Sequence, residues 1–209
     1  MCFSKTSEPV FMKKAVGILY LIFAILLIVG CSANGTAEGT GAEAEETVDE
    51  SEQAIRAVIE KEFNGPDEKY KELLDTAMKA QISDKYMDDY EAYLESPEYQ
   101  ALMSYVEETY ASYFTENGYD TFINTSAFMY AGFDSDYELN TSAIDIAQSE
   151  NEKTLYNFTF QVEYKDENGE SNQFDFEGSA IAPEEGKIGK IEYLDGYEDG
   201  LLEELRSNE

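Results

Sequence analysis

Residues 156–165 alternate without a break. Tyr156, Phe158, Phe160, Val162 and Tyr164 take one side, and Asn157, Thr159, Gln161, Glu163 and Lys165 take the other. A period of two is the signature of a strand with one face buried. It commits the chain to a sheet that needs a second layer over its apolar face. Phe174 and Phe176 resume the apolar side after a turn at Asp166 to Gly169. The turn length sets the register. A two-residue Asn168-Gly169 loop puts Tyr164 opposite Gln173 and splits the apolar residues between faces. A three-residue loop, Glu167-Asn168-Gly169, sets Val162 against Phe174 and Phe160 against Phe176, so both faces agree. Gly169 then takes the left-handed position of a bulged turn, and Asp166 stands opposite Glu170. A longer odd loop also satisfies the face rule. A less regular strand is expected within residues 137–148 and a last one over 187–194, with Ile191 and Tyr193 on one face.

Upstream the period is helical. Ala54, Ile55, Val58, Ile59, Glu62 and Phe63 follow an i, i+3/i+4 rhythm whose apolar members make one stripe, closed by Gly65-Pro66. Asp67 is placed to cap a second helix bearing Tyr70, Leu73, Leu74, Ala77 and Met78. Tyr86, Tyr90, Tyr93 and Leu94 form a further stripe, on a short helix or a continuation. Ser96-Pro97-Glu98 is a start signal: a cap, a proline at the first helical position and an acid at the positive helix end. The face Leu102, Tyr105, Val106, Thr109, Tyr110, Tyr113 and Phe114 predicts a helix running to Asn117-Gly118. Leu201, Leu202 and Leu205 suggest a short terminal helix. Helices first and antiparallel strands second make an α+β fold, with the helices packed on one face of a curved sheet.

The N-terminal stretch has a different character. Lys13 and Lys14 precede an uncharged run from Ala15 to Gly30 that ends in Ile28-Val29-Gly30-Cys31. The run is longer than a typical signal core and short of the roughly 20 residues of a spanning helix. Its end resembles the lipobox of bacterial lipoproteins, with isoleucine where leucine is most frequent. The resemblance implies cleavage before Cys31, two acyl chains on that cysteine, and a place at the outer face of the cytoplasmic membrane. The partners it implies are the membrane and the export and lipoprotein-processing machinery. Met12-Lys13-Lys14 reads as the natural start of the signal. Residues 32–50, rich in Gly, Ala, Thr, Ser and Glu, read as an acidic tether. Residues 51–209 read as one domain of about 160 residues, long enough for a core.

Charge and residue types exclude several functions. With 45 acidic and 14 basic residues and a net charge of −31, the surface repels nucleic acid. The chain has no histidine, which removes the commonest general base and metal ligand. Cys2 and Cys31 both lie ahead of the domain, so it holds no disulfide or cysteine nucleophile. The pairs Asp88/Asp89 and Asp134/Asp136 stand in polar stretches, where a solvated face is the simpler reading. Patterns for serine hydrolases, zinc peptidases and phosphate-binding loops are absent. No cofactor is implied.

The layout of early helices, the Tyr156–Tyr164 strand, the Gly169 turn, the Phe174–Phe176 strand and a final strand to Leu194 resembles the NTF2-like or cystatin-like class of small lipoproteins. In that class a cavity between sheet and helices is a binding pit or, in a few members, an active site. The histidine of the enzymatic members has no counterpart here. The expectation is a non-catalytic module of the cell envelope that binds a peptide, a small ligand or an envelope protein. The alternatives are a structural or stress-related lipoprotein without a pocket, and an NTF2-like enzyme. Candidate pocket residues are Tyr105, Tyr110 and Tyr113 from the helix and Phe160 and Phe176 from the sheet.

Overall fold

A computed structural model describes residues 49–133, 136–194 and 200–207. Cys31, the apolar run, the tether as far as residue 48, Asp134 and the Asp195-Gly196 turn lie outside them. Helix α1 spans Glu50–Phe63. Its cap is Asp49, whose Oδ1 accepts the Ser51 and Glu52 amides at 2.9 and 3.0 Å. Ile55, Val58, Ile59 and Phe63 are completely buried along one face. Asp67 caps α2, Glu68–Gln81, by accepting the Tyr70 amide at 2.9 Å. A short α3, Tyr90–Leu94, leads to α4, Pro97–Tyr110, where Ser96 is the cap and Pro97 stands in the first turn.

Helix α4 is shorter than the side-chain rhythm predicts. It ends at Tyr110, and a single 3-10 turn follows over Ala111–Tyr113. Phe114 is extended and bridges to Ile188 in parallel. A new helix, α5, spans Glu116–Thr125 and is capped by Thr115. The rhythm continues past the true end because Phe114 still points inward, buried and stacked on Phe122 with centroids 4.6 Å apart. Gly118 therefore lies inside a helix rather than stopping one. A Cβ there would fall 2.4 Å from the Ile188 carbonyl oxygen, so glycine lets α5 cross the 188–189 backbone.

Four antiparallel strands form one open sheet in the order β1-β2-β3-β4. Their ranges are Tyr137–Gln148, Leu155–Asp166, Ser171–Ile181 and Lys190–Tyr193. Phe160 pairs with Phe176 and Val162 with Phe174, the register of the three-residue loop. Gly169 has φ +82°. The Asp166/Glu170 juxtaposition is resolved locally, because Asp166 Oδ1 accepts the Asn168 and Glu170 amides at 2.9 and 2.8 Å. Desolvation raises the pKa of Asp166, but hydrogen bonds from Asn168, Glu170 and Gly169 outweigh it and the net shift is downward. In β1 the register shifts between Ser142 and Asp145, with Ala143 at φ +50°. Such a bulge moves the inward side from Tyr137 and Leu139 to Ile144 and Ile146, hence the irregular pattern there. The last strand is shorter than expected because Ile188 pairs with Phe114 instead.

The layer against the sheet is α1. The Phe63 ring lies 4.8 Å from Phe160 and 4.9 Å from Phe176. Helix α4, expected in that place, packs on α2 and reaches the core through Tyr110. The short α6, Leu201–Ser207, buries Leu201, Leu202 and Leu205. The opposite sheet face is polar, with Gln161 donating to Asp175 at 2.8 Å and Lys165 to Glu138 at 3.1 Å. No helix among the described residues is long and apolar enough to cross a membrane.

Candidate functional site

The crossing of α5 over the 188–189 segment has a consequence beyond it. Thr115 N donates to Ile188 O at 3.0 Å and Ile188 N to Tyr113 O at 2.8 Å, which pins the start of α5 to the chain before β4. Past Gly118 the two elements part and leave a cleft of about 370 Å³. One wall is α5 and the turn that follows it, through Phe122, Met129 and Tyr130; the other is residues 190–194 of β4 and its end, with Tyr193. Hydroxyls of Thr121, Thr125 and Ser126 stand along an otherwise largely apolar lining. The Lys190–Glu192 ion pair, 2.7 Å apart, belongs to the β4 side. A concave, mainly apolar space of this size with a few polar points has the form of a small-ligand site.

Behind the cleft lies a buried acid. Glu62, on the apolar stripe of α1, is 4% exposed. Its Oε1 accepts the Tyr110 hydroxyl and the Phe128 amide, the latter at 3.0 Å. Phe128 has φ +57°, a left-handed backbone that non-glycine residues adopt only when the surroundings hold it. Burial raises the Glu62 carboxyl to about 7, against the opposing influence of the Tyr110 hydroxyl and the nearby Phe128 and Met129 amides. Burial, with the Glu62 charge beside it, drives Tyr110 far above the ordinary tyrosine value, so it remains a donor. Glu62 Oε2 and the Tyr193 hydroxyl are both buried and have no hydrogen-bond partner among the described residues. Tyr193 is also pushed well up, by burial first and then by Glu62 and Tyr130.

The five residues singled out from the sequence fall into different places. Phe160 and Phe176 stack at 5.0 Å inside the core. Tyr110 is buried against Glu62, Phe122 and Phe128. Tyr105 is half-buried and donates to Asp67 Oδ2 at 2.7 Å; burial, then Asp67, pushes it up to about 12. Tyr113 is half-buried under Lys61, whose Nζ lies 5.9 Å from the ring centre. None of the three tyrosines borders the α5–β4 cleft. Cys31 is outside the described residues. Asp89 is exposed and caps α3 by accepting the Ala92 amide at 3.0 Å. Among the described residues no group of three or more acids or cysteines is placed to hold a metal ion.

Compared with family models, curated proteins and solved structures, the chain matches none of them. The cleft and the acid behind it are therefore read from their own geometry. Sequence reasoning missed both. The one signal for Glu62 was a charged residue standing within an apolar stripe. Phe128 and Tyr130 had none, since residues 123–136 show neither period.

Proposed function

We propose that this chain is a lipoprotein held at the outer face of the cytoplasmic membrane by lipid on Cys31. Its domain acts there as a non-catalytic binding module, with a small, mainly apolar ligand in the α5–β4 cleft. The observation that carries the binding reading is the cleft itself, about 370 Å³ and lined by Phe122, Met129, Tyr130 and Tyr193 with hydroxyls at the rim. The anchor rests on the basic start, the apolar run and the Gly30-Cys31 junction. The finer assignment, a curved sheet of the NTF2-like or cystatin-like class, is supported by the helices-first order and by the β1 bulge, which bends its strand.

Two variants test these parts separately. Cys31→Ala should abolish labelling by a fatty-acid probe and leave the precursor uncut; continued labelling rejects the anchor. Thr121→Trp places a large ring in the cleft from an exposed helix position. Native mass spectrometry of the protein taken from membranes should find a bound small molecule on the wild type and not on Thr121→Trp. Equal loading of both, or of neither, rejects the cleft as the site.

A second reading has its own observation. Met78, Ile82, Met87 and Tyr90 are 56%, 74%, 63% and 61% exposed along the end of α2 and the turn to α3. Exposed apolar groups so close in sequence favour contact with an envelope protein. Charged substitutions at Ile82 and Met87 that leave a cross-linked partner in place would remove this reading.

A further inference from the structure

We propose that the Glu62 carboxyl is a proton-operated latch on the two walls of the α5–β4 cleft, so that gain or loss of its proton changes the shape of the cleft. The idea that this shape governs binding rests on the cleft reading above; the latch itself stands on the core geometry.

One oxygen of Glu62 is committed to the 126–131 turn. Oε1 accepts the Phe128 amide at 3.0 Å and holds that residue in its left-handed backbone. Met129 and Tyr130, the next two residues, are cleft wall. Among the described residues, the other oxygen, Oε2, is buried without a hydrogen-bond partner, and so is the hydroxyl of Tyr193 on the facing wall. One carboxyl group thus lies behind both sides of the cleft.

The two protonation states ask different things of these walls. With a proton on Oε2, the group is neutral, and Oε1 keeps both of its hydrogen bonds as a carbonyl acceptor. When the proton leaves to bulk water, a full negative charge remains in the core with one oxygen undonated. Such a charge is costly unless donors or water reach it. Among the described residues, the groups that act on Glu62 include no cation. They are Tyr70 with Asp67 from α2 and its cap, Tyr110 from α4, and Tyr193 from β4 with Tyr130 beside it. The β2 and β3 side contributes the uncharged rings Phe160 and Phe176, which meet Phe63 next to Glu62. Relief comes from the Tyr193 hydroxyl or the Met129 amide turning toward Oε2, or from the turn opening to water. Each of these moves a cleft wall. The change occurs in a useful range, since burial brings the carboxyl to about 7.

The test uses the whole chain in detergent micelles, with no ligand added. Amide NMR signals of Phe128, Met129 and Tyr193 are followed from about pH 5 to about pH 8.5, a span that brackets neutrality. The expected result is one shared midpoint near 7, lost in Glu62→Gln. Absence of any inflection at these amides overturns the latch, and so does an inflection that persists in Glu62→Gln. Should Glu62→Gln fail to fold, Tyr110→Phe decides. It removes a hydrogen bond that favours the charged form, so the midpoint must move up; an unmoved midpoint overturns the proposal. A chain that titrates but loads nothing removes the binding reading and leaves the latch. A chain that loads and does not titrate removes the latch alone.

Discussion

At the scale of single residues, Glu62 ties stability to pH. Its folded pKa, about 7, lies above the ordinary value of 4.5 because burial penalises the charge. Between those values the folded state binds a proton that the unfolded chain has released. The stabilisation is therefore full below about pH 4.5 and is lost as pH rises through 7. The shift corresponds to roughly 3 kcal/mol between the two limits. Urea unfolding of wild type and Glu62→Gln at a series of pH values reads it directly. The wild type should lose more stability than the variant between pH 5 and 8, and parallel curves would remove Glu62 as the source. The variant shares every other titrating group with the wild type, so the difference between the two proteins is the informative quantity.

At the scale of elements, two glycines do opposite jobs. Gly169 occupies a left-handed position in open space, and its replacement by valine should cost about 1 kcal/mol from backbone strain alone. An unchanged urea midpoint would count against the turn. Gly118 has ordinary helical backbone and no space. Alanine there meets the Ile188 carbonyl and should cost about 1–3 kcal/mol, the range for overpacking. Faster amide exchange at Thr115 and Ile188 should accompany the loss, because their hydrogen bonds hold the crossing. The contrast explains what the sequence disclosed. The hairpin was legible because alternation and turn length together permit few registers, and α1 because its stripe and cap agree. The end of α4 was not, because Tyr113 and Phe114 keep an inward rhythm after the helix has stopped. The cleft was hidden for another reason: it depends on backbone contact between residues about seventy positions apart, and periodicity carries no information about separation.

For the whole molecule, charge is the dominant fact. The chain carries a net charge of −31, and ion pairs among the described residues, such as Lys69–Glu72 at 3.0 Å and Lys79–Asp75 at 2.5 Å, are exposed. Pairs of this kind contribute little. Self-repulsion among the remaining acids weakens the folded state and is screened over roughly 8 Å at physiological salt and 3 Å at 1 M. Adding neutral salt should therefore raise Tm by a few degrees, equivalent to about 1 kcal/mol for a domain of this size. A falling Tm in calorimetry would show that local ion pairs outweigh the repulsion.

Asp49, the cap of α1, is tied to more than its own helix. Its carboxylate caps α1 and also accepts the Tyr156 hydroxyl from β2, at 2.9 Å, while the neighbouring Ser51 hydroxyl accepts the Gly186 amide at 3.2 Å. Tension arriving along the preceding segment would thus be divided at once between the helix and an interior strand of the sheet. The load would fall on several bonds together, as in a lap joint, rather than on one bond at a time, as in a peeling seam.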